Sequence, residues 1–256
     1  MDGIRKDQVA RITPNGRSLS QRDIPVEAPV SIEVNGIAYA VMMATPTDLD
    51  AYGRGFVLSE TLAASADDIR EVRIIETEKG WVVRVWLFDQ AAGLQAARIR
   101  VRLADSSCGI CGIENLEQVS RPLPRIGVSI DVSDAAIFKA LEGLRLHQPM
   151  NAATGGVHAA AFCATDGEIV AVKEDVGRHN ALDKLIGCLS VDKIDPKTGF
   201  ILLSSRCSYE LVEKTVIAGC PLLVTVSIAT SMAVDRAQEA GLQLIARARL
   251  DEMLGL

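Results

Sequence analysis

Two cysteines three positions apart, Cys108 and Cys111, are the residues whose type and spacing most clearly suggest chemistry. Thiols at this spacing can share a metal ion, form a disulfide or hold a transferable sulfur atom. The surrounding segment, Ser106-Ser107-Cys108-Gly109-Ile110-Cys111-Gly112, has small side chains that let a reagent or a partner's cysteine approach the sulfur. Exposed backbone N–H groups in such a segment can stabilise a thiolate. The spacing therefore predicts a reactive thiol pair and leaves three chemistries open.

The other cysteines favour a packing role. Cys163, Cys188 and Cys220 lie in apolar surroundings, where a thiol behaves as a small hydrophobic side chain. Six cysteines in a 256-residue chain without a recognisable signal peptide do not suggest a disulfide scaffold, because cytosolic thiols are kept reduced. We therefore expect a cytoplasmic protein.

Composition excludes several functional classes. With 48% hydrophobic residues, the chain can bury the core of one or two globular domains. A net charge of −6 argues against a protein that binds duplex nucleic acid. No apolar run approaches the ~20 residues that a membrane-spanning helix needs, so we expect no membrane partner.

The first part of the chain is predicted to be rich in β-hairpins. Residues 28–43 alternate around Asn35-Gly36, which is a strong signal for a tight hairpin turn. Residues 45–63 have the apolar spacing of a helix, and residues 72–87 form a second hairpin that turns near Lys79-Gly80. Residues 96–103 alternate as a strand that leads directly to the cysteine pair.

The segment Arg121-Pro122-Leu123-Pro124-Arg125 is the predicted linker, since its two prolines exclude a helix and a central strand. We expect domains at 1–125 and 126–256. In the second, Ser133 caps a helix that runs to about residue 146, and strands at 158–164, 168–173, 200–204, 221–227 and 242–246 alternate with helices at 180–189, 209–218 and 231–240. This pattern predicts an α/β layer with largely parallel strands.

Polar residues follow three successive strands of that layer. The segments are 174–180, 204–208 and 227–231, and they include Arg178 and Arg206. Hydroxyl groups, arginines and helix N-termini at the carboxyl ends of strands suit a phosphate-bearing ligand. Structural roles remain open: serine and threonine at these positions can simply cap helices, His158 can be a buried structural histidine, and Asp175 with Arg178 can form a structural ion pair.

Three specific alternatives for the cysteine pair lack supporting sequence features. A structural zinc site needs two more ligands, and the sequence has no second Cys-x-x-Cys or His-x-x-x-His pair. A zinc deaminase requires His-x-Glu, whereas this chain has His158-Ala159-Ala160. A thioredoxin-like pair should open a helix after a βαβ strand, and here it follows a β-rich segment.

Several motifs, in order, resemble the formate dehydrogenase accessory sulfurtransferase family (FdhD). The resemblance runs from about residue 22 to about residue 249, and the segment from Glu174 to Lys184, Glu-Asp-Val-Gly-Arg-His-Asn-Ala-Leu-Asp-Lys, is its most specific part. Further matching segments are 34–36, 43–46, 55–60, 108–112, 154–160, 206–214 and 227–234.

The resemblance implies an α/β (α+β) fold with a three-layer C-terminal domain similar to cytidine deaminases and a smaller hairpin-rich N-terminal domain. It implies a sulfur carrier that takes sulfur from a cysteine desulfurase as a persulfide and passes it to the molybdenum cofactor of formate dehydrogenase. Cys108 would carry the persulfide and Cys111 would assist. A homodimer without a resident metal is expected.

The cofactor implied by the resemblance is bis-molybdopterin guanine dinucleotide, and a guanine nucleotide is expected to fit the same pocket. The expected binding residues are His158, Asp175, Arg178, His179, Ser205, Arg206, Ser227, Thr230, Arg247, Ala248 and Arg249.

The chain departs from the family pattern at two of these places. Ser205 replaces a usual glycine, and Ala246-Arg247-Ala248-Arg249 replaces a Gly-Phe-x-Arg-like segment without its aromatic ring. A chaperone that only holds the cofactor is the alternative function, and a zinc-dependent hydrolase is a more distant one.

Overall fold

The computed structural model describes residues 3–88, 102–104 and 122–256, which form mixed α/β structure, as the sequence predicted. The strands are β1 (Ile4–Thr13), β2 (Gly16–Pro25), β3 (Ala28–Val34), β4 (Ile37–Ala44), β5 (Ile69–Thr77), β6 (Gly80–Leu87), β7 (Arg102–Ala104), β8 (His158–Ala164), β9 (Ile169–Asp175), β10 (Gly199–Leu203), β11 (Leu222–Thr225), β12 (Gln243–Ala246) and β13 (Leu254–Gly255). The helices are α1 (Leu49–Ser59), α2 (Asp134–Leu144), α3 (Pro149–Thr154), α4 (Arg178–Val191), α5 (Tyr209–Ala218) and α6 (Ser231–Ala240).

The N-terminal sheet has the order β5-β6-β3-β4-β7, and both predicted hairpins are present in it. Asn35 and Gly36 have φ angles of 49° and 81°, the left-handed conformation that a two-residue turn between twisted strands requires. Helix α1 covers one face of this sheet with Leu49, Tyr52 and Phe56. Residues 122–125 of the segment predicted as the linker contain neither helix nor strand, and the same is true of residues 126–133.

The C-terminal sheet has the order β13-β12-β11-β10-β8-β9, and the prediction of largely parallel strands was wrong for part of it. Strands β10, β11 and β12 are parallel, whereas β8 is antiparallel to both β9 and β10. The tight turn at Thr165-Asp166-Gly167 is the reason, because it reverses the chain directly between β8 and β9 and leaves no room for a crossover helix. Strand β13 adds a further antiparallel neighbour.

Helices cover both faces of the C-terminal sheet, giving three layers. Along β10, Ile201 and Leu203 pack toward α4, α5 and α6, while Phe200 and Leu202 pack toward α2. This period of two is what a strand buried on both faces requires. Ser133 caps α2 as predicted, with its hydroxyl oxygen accepting a bond from the Ala136 N–H.

Helices α1 and α4 are in close contact at two glycines, and this contact connects the two sheets. A Cβ atom on Gly55 would overlap the backbone carbonyl of Asp183, and one on Gly187 would overlap that of Ala51. Only glycine lets two helix backbones approach this closely. The two sheets lie on either side of this contact, and the domain division at residue 125 stays a prediction.

The sequence analysis missed the β1–β2 ribbon, the short helix α3 and the short strand β13. None of the helices in the described ranges is both long and apolar enough to cross a membrane.

Candidate functional site

The candidate site lies at one end of the strands of the C-terminal sheet, where the ends of five strands are neighbours. We call this side of the sheet the strand-end edge. Strands β9 to β12 end at this edge, and the oppositely directed β8 begins there. His158 lies opposite Asp175, and Leu203 lies opposite both Ala160 and Thr225. The polar segments that follow these strands are therefore neighbours in space, as their positions after strand ends indicated.

Backbone hydrogen bonds hold the loops after β10, β11 and β12 side by side. The Ser227 N–H donates to the Ser205 carbonyl at 3.3 Å, and the Arg247 N–H donates to the Ser227 carbonyl at 3.0 Å. The Ser205 side chain is buried and donates to the Arg206 carbonyl at 2.9 Å. Thr230 caps α6 through its hydroxyl oxygen, which accepts from the Ala233 N–H. The hydroxyl groups of Ser205 and Thr230 thus each form a hydrogen bond within the protein. The roles of these two residues in ligand binding stay predictions.

His158 is held in its neutral form by its surroundings. Burial lowers the pKa of His158 most, electrostatic interactions with Arg178, His179 and Arg206 lower it further, and the Asp175 carboxylate opposes them. Since a free histidine titrates near pH 6.5, a lowered pKa keeps the ring uncharged at neutral pH. The site therefore combines two arginines with a neutral imidazole that can donate or accept one hydrogen bond.

His179 belongs to a small cluster that the sequence analysis did not identify. Its Nε2 atom lies 3.2 Å from the Ser208 hydroxyl oxygen and 3.1 Å from the Glu210 carboxylate. Both partners come from the start of α5, whereas His179 lies in the first turn of α4. The sequence analysis places Ser208 and Glu210 at the start of a predicted helix. That position was the sequence signal that could have pointed to this cluster.

Three helices direct their N-termini at this edge. Helix α4 begins at Arg178, α5 at Tyr209 and α6 at Ser231. The partial positive charge of a helix N-terminus adds to the charges of Arg178 and Arg206. The edge is thus chemically suited to an anionic ligand with several phosphate oxygens.

Asp175 is buried and its carboxylate is occupied by protein groups. It forms an ion pair with Lys184 at 2.6 Å and accepts bonds from the Thr45 and Gly177 backbone N–H groups at 3.0 and 2.7 Å. Asn180 adds a fourth contact at 2.9 Å. These contacts join the end of β9 to the segment after β4, so the observed role of Asp175 is structural. Its role in ligand binding stays a prediction.

The C-terminal segment lies at the same edge. Arg247 is exposed, has a φ angle of 49° and forms an ion pair with Glu252 at 2.6 Å. Ala248 is buried against the α2 side of the sheet, and Arg249 is exposed. The two arginines can therefore add positive charge beside Ser227, although the side chain of Ala248 faces the core.

Cys108 and Cys111 lie outside the described residues. Strand β7, which precedes them, pairs in parallel with β4, and Ala104 lies opposite Met42. Strand β4 ends at Ala44, next to the Thr45 that bonds to Asp175. The chain therefore enters the cysteine segment from a strand that runs toward the same edge as the site.

The thiols of the described residues differ in exposure. Cys163, Cys207 and Cys220 are buried, and burial raises the pKa of each to about 12. Cys188 is only partly buried, which differs from the predicted packing role, and it donates to Asp192 at 3.3 Å. Within the described ranges, no group of three or more His, Cys, Asp or Glu residues is placed to hold a metal ion.

An apolar cavity of ≈ 530 Å³ lies elsewhere in the molecule. It is lined by Leu58, Ile186, Leu189 and Ile217, close to the C-terminal ends of α1, α4 and α5. Because the site lies at the N-terminal ends of α4 and α5, this cavity is separate from it.

Comparisons with known proteins agree on one family. The model of the FdhD/NarQ family matches residues 25–254. A protein of Variovorax paradoxus named "Sulfur carrier protein FdhD" is 41% identical over 239 residues, 93% of this chain and 86% of that protein. One of the same name from Bordetella petrii is 37% identical over 230 residues, 90% and 83% of the two chains. A crystal structure from Desulfotalea psychrophila, provisionally assigned as a formate dehydrogenase accessory protein, has a TM-score of 0.77 and 21% identity, and the match covers 98% of this chain and 96% of that one.

Proposed function

Because this chain belongs to the FdhD/NarQ family, we propose that it is a sulfur carrier that takes part in formate dehydrogenase maturation. It accepts sulfur from a cysteine desulfurase as a persulfide on Cys108, assisted by Cys111, and transfers it to the molybdenum cofactor before the apoenzyme receives that cofactor. The observation that carries this proposal is the 41% identity to a named sulfur carrier over 93% of the chain. We place the transfer in the cytoplasm, where thiols stay reduced.

The first transfer is a thiol–persulfide exchange. The Cys108 thiolate attacks the outer sulfur of the donor's persulfide, a new S–S bond forms at Cys108, and the donor's S–S bond breaks. The donor cysteine leaves as a thiolate, so sulfur moves without an added oxidant or reductant. The thiolate must be accessible, and the small residues around Cys108 provide that access.

The strand-end edge is the proposed binding site for the cargo, bis-molybdopterin guanine dinucleotide. Its phosphates would lie near Arg178, Arg206 and the N-termini of α4, α5 and α6, since these groups can neutralise several negative charges. A neutral His158 can contribute a hydrogen bond without adding charge. Cargo at this edge would lie beside Thr45, and so close to the end of the strand that pairs with β7.

Binding of guanosine diphosphate tests the cargo site. We expect Arg206→Ala to weaken binding about tenfold or more, because a hydrogen bond between an arginine and a phosphate contributes roughly 1.5–3 kcal/mol. Isothermal titration calorimetry measures the change. Lys139→Ala is the matched control, since Lys139 is an exposed cation that bonds to Asp166 in the turn between β8 and β9, at the opposite edge of the sheet. Equal affinity for Arg206→Ala and wild type would place the phosphates elsewhere.

Intact mass spectrometry tests the carrier chemistry. After incubation with a cysteine desulfurase and cysteine, we expect the wild-type protein to gain about 32 Da, one sulfur atom, and to lose it on treatment with a reductant. The double variant Cys108→Ala/Cys111→Ala should gain nothing, whereas Cys188→Ala, which removes a partly exposed thiol, should gain sulfur normally. An unmodified wild-type protein beside an active desulfurase would favour the cofactor-holding chaperone instead.

A further inference from the structure

The apolar cavity at the C-terminal ends of α1, α4 and α5 has the size of a ligand site. Its volume of ≈ 530 Å³ lies within the roughly 300–1,000 Å³ of pockets that hold small molecules. Leu58 of α1 packs against the cores of both sheets, and Ile186 and Leu189 of α4 belong to the core of the C-terminal sheet. The cavity therefore lies between the two cores, with walls from both.

The walls of the cavity are recessed. Thirteen residues line it, and among them only Ala64 and Ala66 are exposed, so these two mark its mouth. Ala63 and Ala218 lie farther in, where a methyl group leaves the space between the larger side chains unfilled. A partner protein would reach little of this surface, whereas a small molecule would contact most of it.

The lining is apolar with a few hydroxyl groups. Ten of the thirteen lining residues are apolar, and the other three are Ser59, Thr61 and Ser190. Apolar walls bind water weakly, so a ligand that covers them releases water at a gain in free energy. The cavity is therefore suited to a largely apolar ligand that forms few hydrogen bonds.

The polar groups around the cavity disfavour an anion. The Ser59 hydroxyl donates to the Asp183 carboxylate at 2.7 Å and accepts from Lys214, whose ammonium also pairs with Glu60. These two carboxylates and one ammonium have a net charge of −1 when all three are ionised. The C-terminal ends of three helices add partial negative charge. A ligand here should be neutral, unlike the anionic ligand that the N-terminal ends of α4 and α5 favour at the strand-end edge.

One wall of the cavity has an unusual backbone conformation. Thr61 has a φ angle of 57°, which is an outlier for a β-branched residue. The Leu62 and Ala63 N–H groups both donate to the Val57 carbonyl, at 2.8 and 3.1 Å, and these bonds turn the chain back across the end of α1. Strained conformations persist where the surroundings fix them, and they concentrate at ligand-binding segments. This turn keeps Thr61 and Ala63 in the cavity wall.

We propose that this cavity binds a neutral, largely apolar small molecule that donates a hydrogen bond. Its apolar part would contact Leu58, Ile186 and Ile217, and its donor would meet the Ser190 hydroxyl oxygen or a carbonyl group at a helix end. Because α1 lies on one side and α4 and α5 lie on the other, a bound ligand would add contacts between the two sheets. This binding site goes beyond the proposed sulfur carrier function and lies apart from the strand-end edge.

Fluorescence titration with N-phenyl-1-naphthylamine tests the cavity. This probe is neutral, carries one N–H group and fluoresces strongly only in apolar surroundings. We expect saturable binding of about one probe per chain, because one cavity of this size is described. The anionic probe 8-anilinonaphthalene-1-sulfonate has the same ring skeleton with a sulfonate, and it should bind about tenfold more weakly beside the helix C-terminal ends.

Variants that fill the cavity locate the bound probe. Ala218→Phe should abolish binding of the neutral probe, because the added ring would occupy part of the cavity. Ala66→Phe, at the exposed mouth, should weaken binding and provides the test if Ala218→Phe does not fold. The matched control is Ala135→Phe, which adds the same ring at an exposed position of α2 and should bind the probe as the wild type does.

Four results would overturn the proposal. They are the absence of binding to the wild type, unchanged binding by both cavity variants, equal affinity for the two probes, and displacement of the neutral probe by guanosine diphosphate. The last result would place the probe at the strand-end edge. Sulfur loading does not enter these measurements, so failure here and failure of the proposed function are distinguishable.

Discussion

Replacing Cys108 by alanine is expected to reduce formate dehydrogenase activity in cells to the level found without this protein. The described thiols cannot substitute for it, because Cys163, Cys207 and Cys220 are buried and their pKa values are raised to about 12. A thiol with so high a pKa is almost entirely protonated at neutral pH, and only the thiolate attacks a persulfide. Activity in a strain that lacks the chromosomal copy measures the effect.

Two further variants test whether the loss of formate dehydrogenase activity is specific to Cys108. Cys188→Ala should leave activity unchanged, since burial and the hydrogen bond to Asp192 raise the pKa of Cys188 and keep it protonated. Cys111→Ala should lower activity less than Cys108→Ala if Cys111 only assists the transfer. Normal maturation with Cys108→Ala would contradict the assignment of the persulfide to Cys108.

Replacing Lys214 by methionine is expected to lower the free energy of unfolding by about 3–5 kcal/mol. Lys214 of α5 is almost fully buried and donates to both oxygens of Asp183 at 2.9 and 3.0 Å, to Ser59 at 2.8 Å and to Glu60 at 3.1 Å. Burial lowers the pKa of Lys214, but the carboxylates of Asp183 and Glu60 outweigh it and raise the pKa overall. Methionine would leave the buried Asp183 carboxylate without its cation.

Urea unfolding measures this loss and allows two controls. Lys139→Met removes an exposed lysine of α2 and should change stability by no more than about 0.5 kcal/mol. Asp183→Asn/Lys214→Met should recover part of the lost stability, because both members of the ion pair then become neutral. If Lys214→Met were as stable as Lys139→Met, the network would have no net role in joining α1, α4 and α5.

Local sequence signals predicted most of the individual elements. Helices α5 and α6 have the predicted bounds, and the turns at Asn35-Gly36 and Thr165-Asp166-Gly167 are present. These signals are strong because helix caps, tight turns and apolar periodicity depend on neighbouring residues. The β1–β2 ribbon was missed because its strands face solvent on both sides, so they lack the alternation that marks a half-buried strand.

The contacts within the site could not be predicted in the same way. The sequence placed Asp175 in a polar cluster, whereas its carboxylate bonds to Thr45, 130 positions away in the chain. His179 likewise meets Ser208 and Glu210 from another helix. Such pairs depend on the packing of whole elements, which no local pattern encodes.

The sequence alone determined the family resemblance, the cysteine pair and the residues that follow each strand, because these are properties of residue order. Only the tertiary structure decided that five strand ends share one edge, that Asp175 is a structural anchor, and that α1 and α4 meet through Gly55 and Gly187. The physical reason is that hydrogen bonds and close packing act between atoms in contact, and the folded chain brings together residues more than a hundred positions apart.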